Sequence, residues 1–299
     1  MQEIKNKVKL GTVQFYISHT CNLGCDNCLS YNNFLIKGHD KFSDYSTDAV
    51  EWSRLVDPDD MSIIGGEPLS NPDVNNWVIN IRNLFPNCKD FKVCTNGTMI
   101  MKHVSNILGW WDKNVILEVH AHTMDHFEKS CKDIETIIGN KVYKKTNIPP
   151  TDSPEYYDED FDVFYIIDDK IVAVVAEPYK FKQWGVNAYK NNQWELYDSN
   201  PKIAHMMCVS NDCHYIYKGQ MYKCGTIVGA KEFVKTYKVK QEHADLINAY
   251  TPISWNDESV ENDLTTLTKN SIDQCALCPS NNKWTAIENV KNKSKIGLT

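Results

Sequence analysis

The spacing Cys21-x3-Cys25-x2-Cys28 constrains this chain more than any other feature of its sequence. Three thiols in so short a stretch, in a chain with no secretion signal, point to metal rather than to disulfides. Three is also one short of a closed site. Four cysteines saturate a structural zinc or an electron-transfer iron–sulfur cluster, whereas three leave one iron of a cubane open to a further ligand. Residues 12–18, just ahead of the array, alternate apolar and polar side chains and read as a strand. The loop is therefore expected just beyond a strand's carboxyl end, the edge at which barrel-type α/β proteins do chemistry.

A second motif, Gly65-Gly66-Glu67-Pro68, follows the strand-like residues 61–64. Two glycines let backbone pass close to a ligand with no Cβ in the way, and Glu67 offers a carboxylate to an ammonium group. Taken alone, the motif reads equally as an ordinary strand-to-helix turn, and zinc can adopt the cysteine spacing. Together, the two motifs resemble the radical S-adenosylmethionine (SAM) superfamily. In that family the cysteine loop after the first strand holds a [4Fe-4S] cluster, whose open iron chelates the amino and carboxylate groups of SAM. The resemblance implies that Cys21, Cys25 and Cys28 are the ligands and that Gly65, Gly66, Glu67 and Pro68 contact SAM. The family usually carries an aromatic residue just before the last cysteine. This chain has Asn27 there, which leaves Tyr31 or Phe34 as candidates for the adenine contact.

Composition narrows the partners. A chain of 299 residues has room for one large domain and a small one. Its 42% hydrophobic and 24% charged residues are ordinary for a globular protein. The net charge of -7 argues against a nucleic-acid backbone as partner. Arginine occurs only at Arg54 and Arg82, so bidentate clamping of a phosphate-rich substrate is not expected. The lysine-rich amino terminus has no apolar signal core, and no run is long enough to span a membrane. Eleven cysteines then read as reduced thiols, and the cytoplasm is the expected compartment.

Periodicity predicts helices over residues 47–55, 73–85 and 101–111, the first stopped at Asp57-Pro58, and strands over 61–64, 91–95 and 115–122. That alternation means parallel β/α units. The fold class expected is α/β: a partial (β/α) barrel over residues 10–200, followed by a small β-hairpin-plus-helix domain over 201–290. On the strand at 115–122, alternation puts Glu118, His120 and His122 on the polar, barrel-facing side. Glu118 and His120 are candidates to contact SAM or substrate, and Thr95 and Asn96, in a Thr-Asn-Gly sequence common in the family, are candidates for the ribose. A His-x-His zinc site with His126 lacks evident carboxylates. Residues 133–138 read as a short helix and 146–160 as a loop. Residues 161–167 and 170–176 read as a hairpin about Asp168-Asp169.

Beyond residue 200 the cysteines return as Cys208, Cys213, Cys224 and Cys275-x2-Cys278, with a hairpin expected about Lys218-Gly219. Cys208, Cys224, Cys275 and Cys278 resemble the twitch domain, the shortened form of the SPASM extension that follows many radical SAM cores. The resemblance implies one auxiliary [4Fe-4S] cluster, with Cys213 a possible substitute ligand; four cysteines in two arms suit zinc equally. Cys88, Cys94 and Cys131 have no ligand spacing and read as buried thiols. The acidic stretch 257–263 reads as solvated, and the lysine-rich tail from 291 as frayed.

The resemblance implies reductive cleavage of SAM to a 5′-deoxyadenosyl radical, hydrogen-atom abstraction from substrate, and oxidation or rearrangement of the substrate radical with help from the auxiliary cluster. An electron donor of flavodoxin or ferredoxin type is the implied partner. Only a short segment precedes the first strand, so a fused leader-binding domain is not expected, and a small polar or sugar-like metabolite is preferred to a peptide. A peptide-modifying maturase is the alternative substrate class. A non-catalytic iron–sulfur or zinc protein is the alternative of another kind. No residue is singled out as substrate acid or base.

Overall fold

A computed structural model describes residues 7–25, 28–34, 36–147, 162–176, 178, 180–182, 188–280 and 284–286. The expectations for Asn27, for most of 146–160 and for the tail from 291 lie outside these residues. The chain begins with β1 (Val8–Tyr16), α1 (Phe42–Leu55), β2 (Val56–Ile64), α2 (Val74–Leu84), β3 (Asp90–Thr95), α3 (Val104–Trp111), β4 (Ile116–His120) and α4 (Met124–Ile138). It continues with β5 (Lys144–Thr146), β6 (Val163–Ile167), β7 (Lys170–Ala176), β8 (Lys180–Lys182), β9 (Ala188–Lys190), β10 (Gln193–Glu195) and α5 (Pro201–Met206). The last elements are β11 (Cys213–Tyr217), β12 (Gln220–Tyr222), α6 (Gly225–Thr236), α7 (Gln241–Asn248), β13 (Ile253–Ser254), α8 (Val260–Leu267) and β14 (Trp284–Ala286).

One sheet of ten strands runs in the order β13-β12-β11-β1-β2-β3-β4-β7-β6-β5. Its middle, from β11 through β1, β2, β3 and β4 to β7, is parallel, and antiparallel strands close both ends. The fold is thus mixed α/β with a parallel-rich central sheet. Alternation sends Val13, Phe15, Met61, Ile63, Phe91, Val93, Leu117 and Val119 into one core with Trp52, Trp77, Ile81, Ile107, Trp110 and Ile134 from α1 to α4. The opposite face of the same strands carries Tyr16, Asp60, Ser62, Lys92, Cys94, Glu118 and His120. A polar face of this kind is a liability in a buried sheet unless it lines a site.

Several boundaries differ from the sequence reading for identifiable reasons. Pro58 does not stop α1, which ends at Leu55; it lies inside β2, opposite Leu10 and ahead of the β3 pairing that starts at Asp60 and Asp90. A proline there removes no donor from the β3 side. The helix read at 133–138 is the end of α4, which begins at Met124 with Thr123 Oγ1 accepting from the His126 N–H at 3.2 Å. The acidic segment at 257–263 leads into α8, whose Val260, Leu264 and Leu267 enter the main core while Glu261 stays exposed. Burial of Leu264 contributes about 2 kcal/mol by the usual area scale.

Both expected hairpin turns form. Asp168 and Asp169 take φ of 49° and 60°, and Lys218 and Gly219 take 48° and 75°, the positive pair that a tight two-residue turn between twisted strands requires. The second hairpin does not stand apart from the sheet: β11 pairs in parallel with β1, Val13 opposite His214 and Phe15 opposite Ile216. No helix among the described residues is long and apolar enough to cross a membrane.

Candidate cofactor and metal site

The first cysteine loop leaves the carboxyl end of β1 and is tied at once to its neighbours. Ile17 N–H donates to Ile64 O at 2.9 Å, and His19 N–H donates to Gly38 O at 2.9 Å. The Asn71 amide donates to Ile17 O at 2.8 Å and to Asp40 O at 2.9 Å. His19 is buried between Tyr16 OH at 3.2 Å and Tyr217 OH at 2.9 Å, and burial lowers its pKa to about 4, so the ring is neutral at neutral pH.

Cys21 and Cys28 sit in surroundings that supply donors to sulfur. Burial pushes the Cys21 thiol up to about 12, against the pull of the Leu23 N–H at 3.4 Å. Burial also pushes Cys28 up, while the N–H groups of Asn32, Ser30, Asn33 and Tyr31 draw it back. A sulfur ringed by four backbone donors suits a metal-bound thiolate, which carries charge that those donors stabilise.

The Gly-Gly-Glu-Pro turn meets this loop directly. Gly66 N–H donates to Ser18 O at 2.6 Å and Glu67 N–H to Thr20 O at 2.9 Å. A Cβ on Gly65 would lie 2.6 Å from Ser18 O, and one on Gly66 would lie 2.7 Å from Thr20 O. The close approach that fixes glycine at both positions is thus to the cysteine loop's own backbone. The Glu67 carboxylate is fully buried, and three donors from within the chain already reach it. Oε1 accepts from Leu69 N–H at 2.9 Å and Thr95 Oγ1 at 2.7 Å, and Oε2 accepts from Asn96 N–H at 2.8 Å. Pro68 is buried and begins the single turn that follows.

Thr95 and Asn96 are likewise engaged. Thr95 Oγ1 also accepts from Gly97 N–H at 3.1 Å, and the Asn96 amide donates to Asn22 Oδ1 at 3.0 Å and approaches Cys21 Sγ at 3.8 Å. These residues organise the rim between the two motifs. Of the two aromatic candidates for adenine, Tyr31 is fully enclosed and stacked on Phe233, and Phe34 packs between Phe233, Trp194 and Tyr237. Tyr31 presents no open face, whereas Phe34 is partly exposed.

Glu118 and His120 are brought together on the polar face, His120 Nε2 lying 2.6 Å from Glu118 Oε1. The second Glu118 oxygen lies 3.6 Å from Lys92 Nζ, which is 2.9 Å from Asp60 Oδ2. Cys94 points at the same carboxylate, Sγ to Oε1 at 3.9 Å, and its thiol is pushed well up by burial. The ligating atoms of Cys94, Glu118 and His120 all lie within 4.8 Å of one another. Sequence reasoning found Glu118 and His120 and read Cys94 as a buried thiol, which it is, but missed Asp60 and Lys92. The available signal was alternation: Asp60 and Ser62 flank Met61 on β2, and Lys92 and Cys94 flank Val93 on β3.

The carboxyl-terminal cysteines converge on one cavity whose wall includes Cys208, Cys224, Cys275 and Cys278, together with Lys223 and Leu29. Cys213 is not on that wall among the described residues; its thiol is buried at the start of β11 and pushed up. Cys224 caps α6, and the N–H groups of Ile227 and Thr226 draw its thiol down against a burial that raises it to about 11. Lys223 is buried and donates to the carbonyls of Asn211, Leu267 and Thr268. Burial lowers its pKa, while the nearby Cys275, Cys224 and Cys208 raise it. Four thiols, a helix amino terminus and an ammonium group make a donor set that fits an anionic sulfur-ligated metal centre.

No protein-family model matches the chain, and no curated protein matches it. Several solved structures are similar, among them these two. One is Streptococcus suis SuiB bound to S-adenosylmethionine, 23% identical over 38% of this chain and 25% of that one, with a TM-score of 0.27. The other is BtrN in complex with AdoMet and 2-DOIA, 14% identical over 96% of this chain and 99% of that one, with a TM-score of 0.43. The chain thus spans about a quarter of SuiB and nearly all of BtrN. In itself it is a mixed α/β protein with a parallel-rich central sheet and with Cys208, Cys224, Cys275 and Cys278 gathered on one cavity.

Proposed function

We propose that this chain is a radical SAM enzyme. The observation that carries the reading is the packing of the three-cysteine loop on the Gly-Gly-Glu-Pro turn, through Gly66 N–H to Ser18 O and Glu67 N–H to Thr20 O, at the carboxyl end of a parallel sheet. Cys21, Cys25 and Cys28 would hold a [4Fe-4S] cluster, which together with SAM would supply reductive cleavage of SAM and hydrogen-atom abstraction from substrate. The chain's own residues prepare the place. The N–H groups around Cys28 stabilise thiolate charge, and Glu67 holds the second motif and the end of β3 in register. The Lys92, Glu118 and His120 side chains offer donors and an acceptor to a small polar substrate on the inner face.

Cys208, Cys224, Cys275 and Cys278 would hold an auxiliary cluster in this reading, and that cluster would supply an electron acceptor for oxidation or rearrangement of a substrate radical. A flavodoxin- or ferredoxin-type donor in a reducing compartment supplies the first electron.

The test is anaerobic reconstitution of wild type and a Cys21/Cys25/Cys28 triple alanine variant, with iron and sulfide quantitation and dithionite-driven SAM cleavage. The expected result is about eight irons falling to about four, with 5′-deoxyadenosine from wild type alone. Zinc in place of iron, or no cleavage under any reductant, overturns it in favour of a structural metal protein.

A further inference from the structure

The inner face of the sheet carries a mixed donor set that neither cysteine motif uses. Glu118 Oε1 lies 3.9 Å from Cys94 Sγ and 2.6 Å from His120 Nε2, and one ligating atom from each of the three residues falls within 4.8 Å of the others. Strand register brings them together: Cys94 and Glu118 are partners across β3 and β4, and His120 stands two residues further along β4 on the same face. A thiolate sulfur, an imidazole nitrogen and a carboxylate oxygen are the ligand types of zinc. Ligand atoms at zinc bond lengths stand about 3.3–3.6 Å apart in a tetrahedron. The sulfur–oxygen spacing is already close to that, and the His120 and Glu118 pair has to open by less than about 1 Å. His120 has room to open, because its side chain is 46% exposed at the end of β4, while Cys94 is buried.

The neighbours of this set support it as the outer partners of a metal site do. Lys92 Nζ lies 3.6 Å from Glu118 Oε2 and 2.9 Å from Asp60 Oδ2, so it holds the far oxygen of Glu118 and leaves Oε1 toward Cys94 and His120. Ser62 on β2 is buried, and its hydroxyl has no hydrogen-bond partner among the described residues. Burial and the Glu118 charge push the Cys94 thiol well up, and Ser62 draws it back, as a donor to a thiolate does. With Cys94 ionised, the thiolate and the Asp60 and Glu118 carboxylates outweigh the Lys92 ammonium, and a divalent cation restores the balance. We propose that Cys94, Glu118 and His120 bind zinc, each through one atom, with the fourth position left to a water or substrate oxygen. Binding releases the Cys94 proton to solvent and exchanges the hydrogen bond between His120 and Glu118 for two metal bonds. The site shares no ligand with either cysteine set and does not depend on what those sets hold.

The experiment is equilibrium dialysis of the reconstituted full chain against zinc, on wild type, Cys94→Ser and His120→Asn, with zinc and iron counted on each. Zinc X-ray absorption on wild type then reads the ligand shell. His120 is half-exposed, so His120→Asn reports on the site even where Cys94→Ser fails to fold. The expected result is about one zinc more per wild-type chain than in either variant, equal iron in all, and a shell of about one sulfur completed by nitrogen and oxygen. Equal zinc in wild type and His120→Asn overturns the proposal. In an iron-loaded chain, so does a zinc shell of sulfur alone, which puts the metal on the cysteine sets instead. A chain that loads no iron overturns the radical SAM reading, and the zinc difference between wild type and His120→Asn still decides this one.

Discussion

The backbone N–H of Asn96 donates to Glu67 Oε2 at 2.8 Å. That bond joins the turn after β2 to the end of β3, and the Asn96 side chain extends the connection to within 3.8 Å of Cys21 Sγ. The second motif therefore reaches the cysteine loop along two routes, one through its glycine backbone and one through its buried carboxylate.

Glu67→Gln should break the carboxylate route. An amide oxygen can keep the Thr95 and Leu69 donors, but the amide nitrogen then faces the Asn96 N–H, donor to donor. A buried donor left unpaired costs about 1–3 kcal/mol, and urea denaturation of the cluster-free variant should show a loss of that size. Burial pushes Glu67 up to about 7, against the pull of Asn96, Thr95 and Leu69. With a raised folded pKa, its contribution is fully present below the unfolded value of about 4.3 and is lost as pH rises through about 7. The glutamine variant should lack that dependence. Equal slopes of stability against pH between 4 and 8 would count against it.

Gly66→Ala tests the backbone route. The added Cβ meets Thr20 O at 2.7 Å and Asn32 Nδ2 at 2.9 Å, and backbone cannot move aside as a flexible side chain does. Overpacking of this kind costs about 1–3 kcal/mol. Iron bound after reconstitution should fall toward that of the triple alanine variant, because the displaced strand of contacts is the one holding residues 18–20.

Lys92→Met tests the charge row on the inner face. The Lys92 and Asp60 side chains are 7% and 9% exposed, and removing one member of a buried pair costs about 3–5 kcal/mol. Chemical denaturation should show that loss. Adding Asp60→Asn to Lys92→Met should recover much of it, and a strictly additive double variant would show that the pair is not coupled.

The cysteine sets make a prediction about alkali. Burial raises the thiols of Cys21, to about 12, and Cys224, to about 11. Their contribution to the cluster-free protein is fully present below the unfolded value near 8.5 and is lost as pH rises through 11–12. Denaturation midpoints of the cluster-free chain should fall between pH 9 and 11. The loaded protein should lose less, since its ligands are already ionised, and loading itself should weaken on acidification.

Much of the site is local and was therefore legible. The cysteine spacing, the double glycine, the alternation of strands and helices through β4, and both positive-φ hairpin turns depend on residues close in sequence. The structure reproduces these elements because short-range geometry fixes them. The reach of α4 and α8 was less legible, since capping by Thr123 and burial of Leu264 depend on what packs above them.

The sequence by itself determined that the Cys21, Cys25 and Cys28 loop and the Gly65-Gly66-Glu67-Pro68 turn would follow parallel strands. Tertiary structure alone decided their partners. Pairing of β11 with β1 brings Cys213 opposite Thr12, and the Lys92 and Asp60 contact spans two strands. The enclosure of Tyr31 depends on Phe233, from a helix far along the chain. Such contacts join segments whose separation leaves no periodic trace. They form because burying the apolar side chains around them forces these polar groups to find one another.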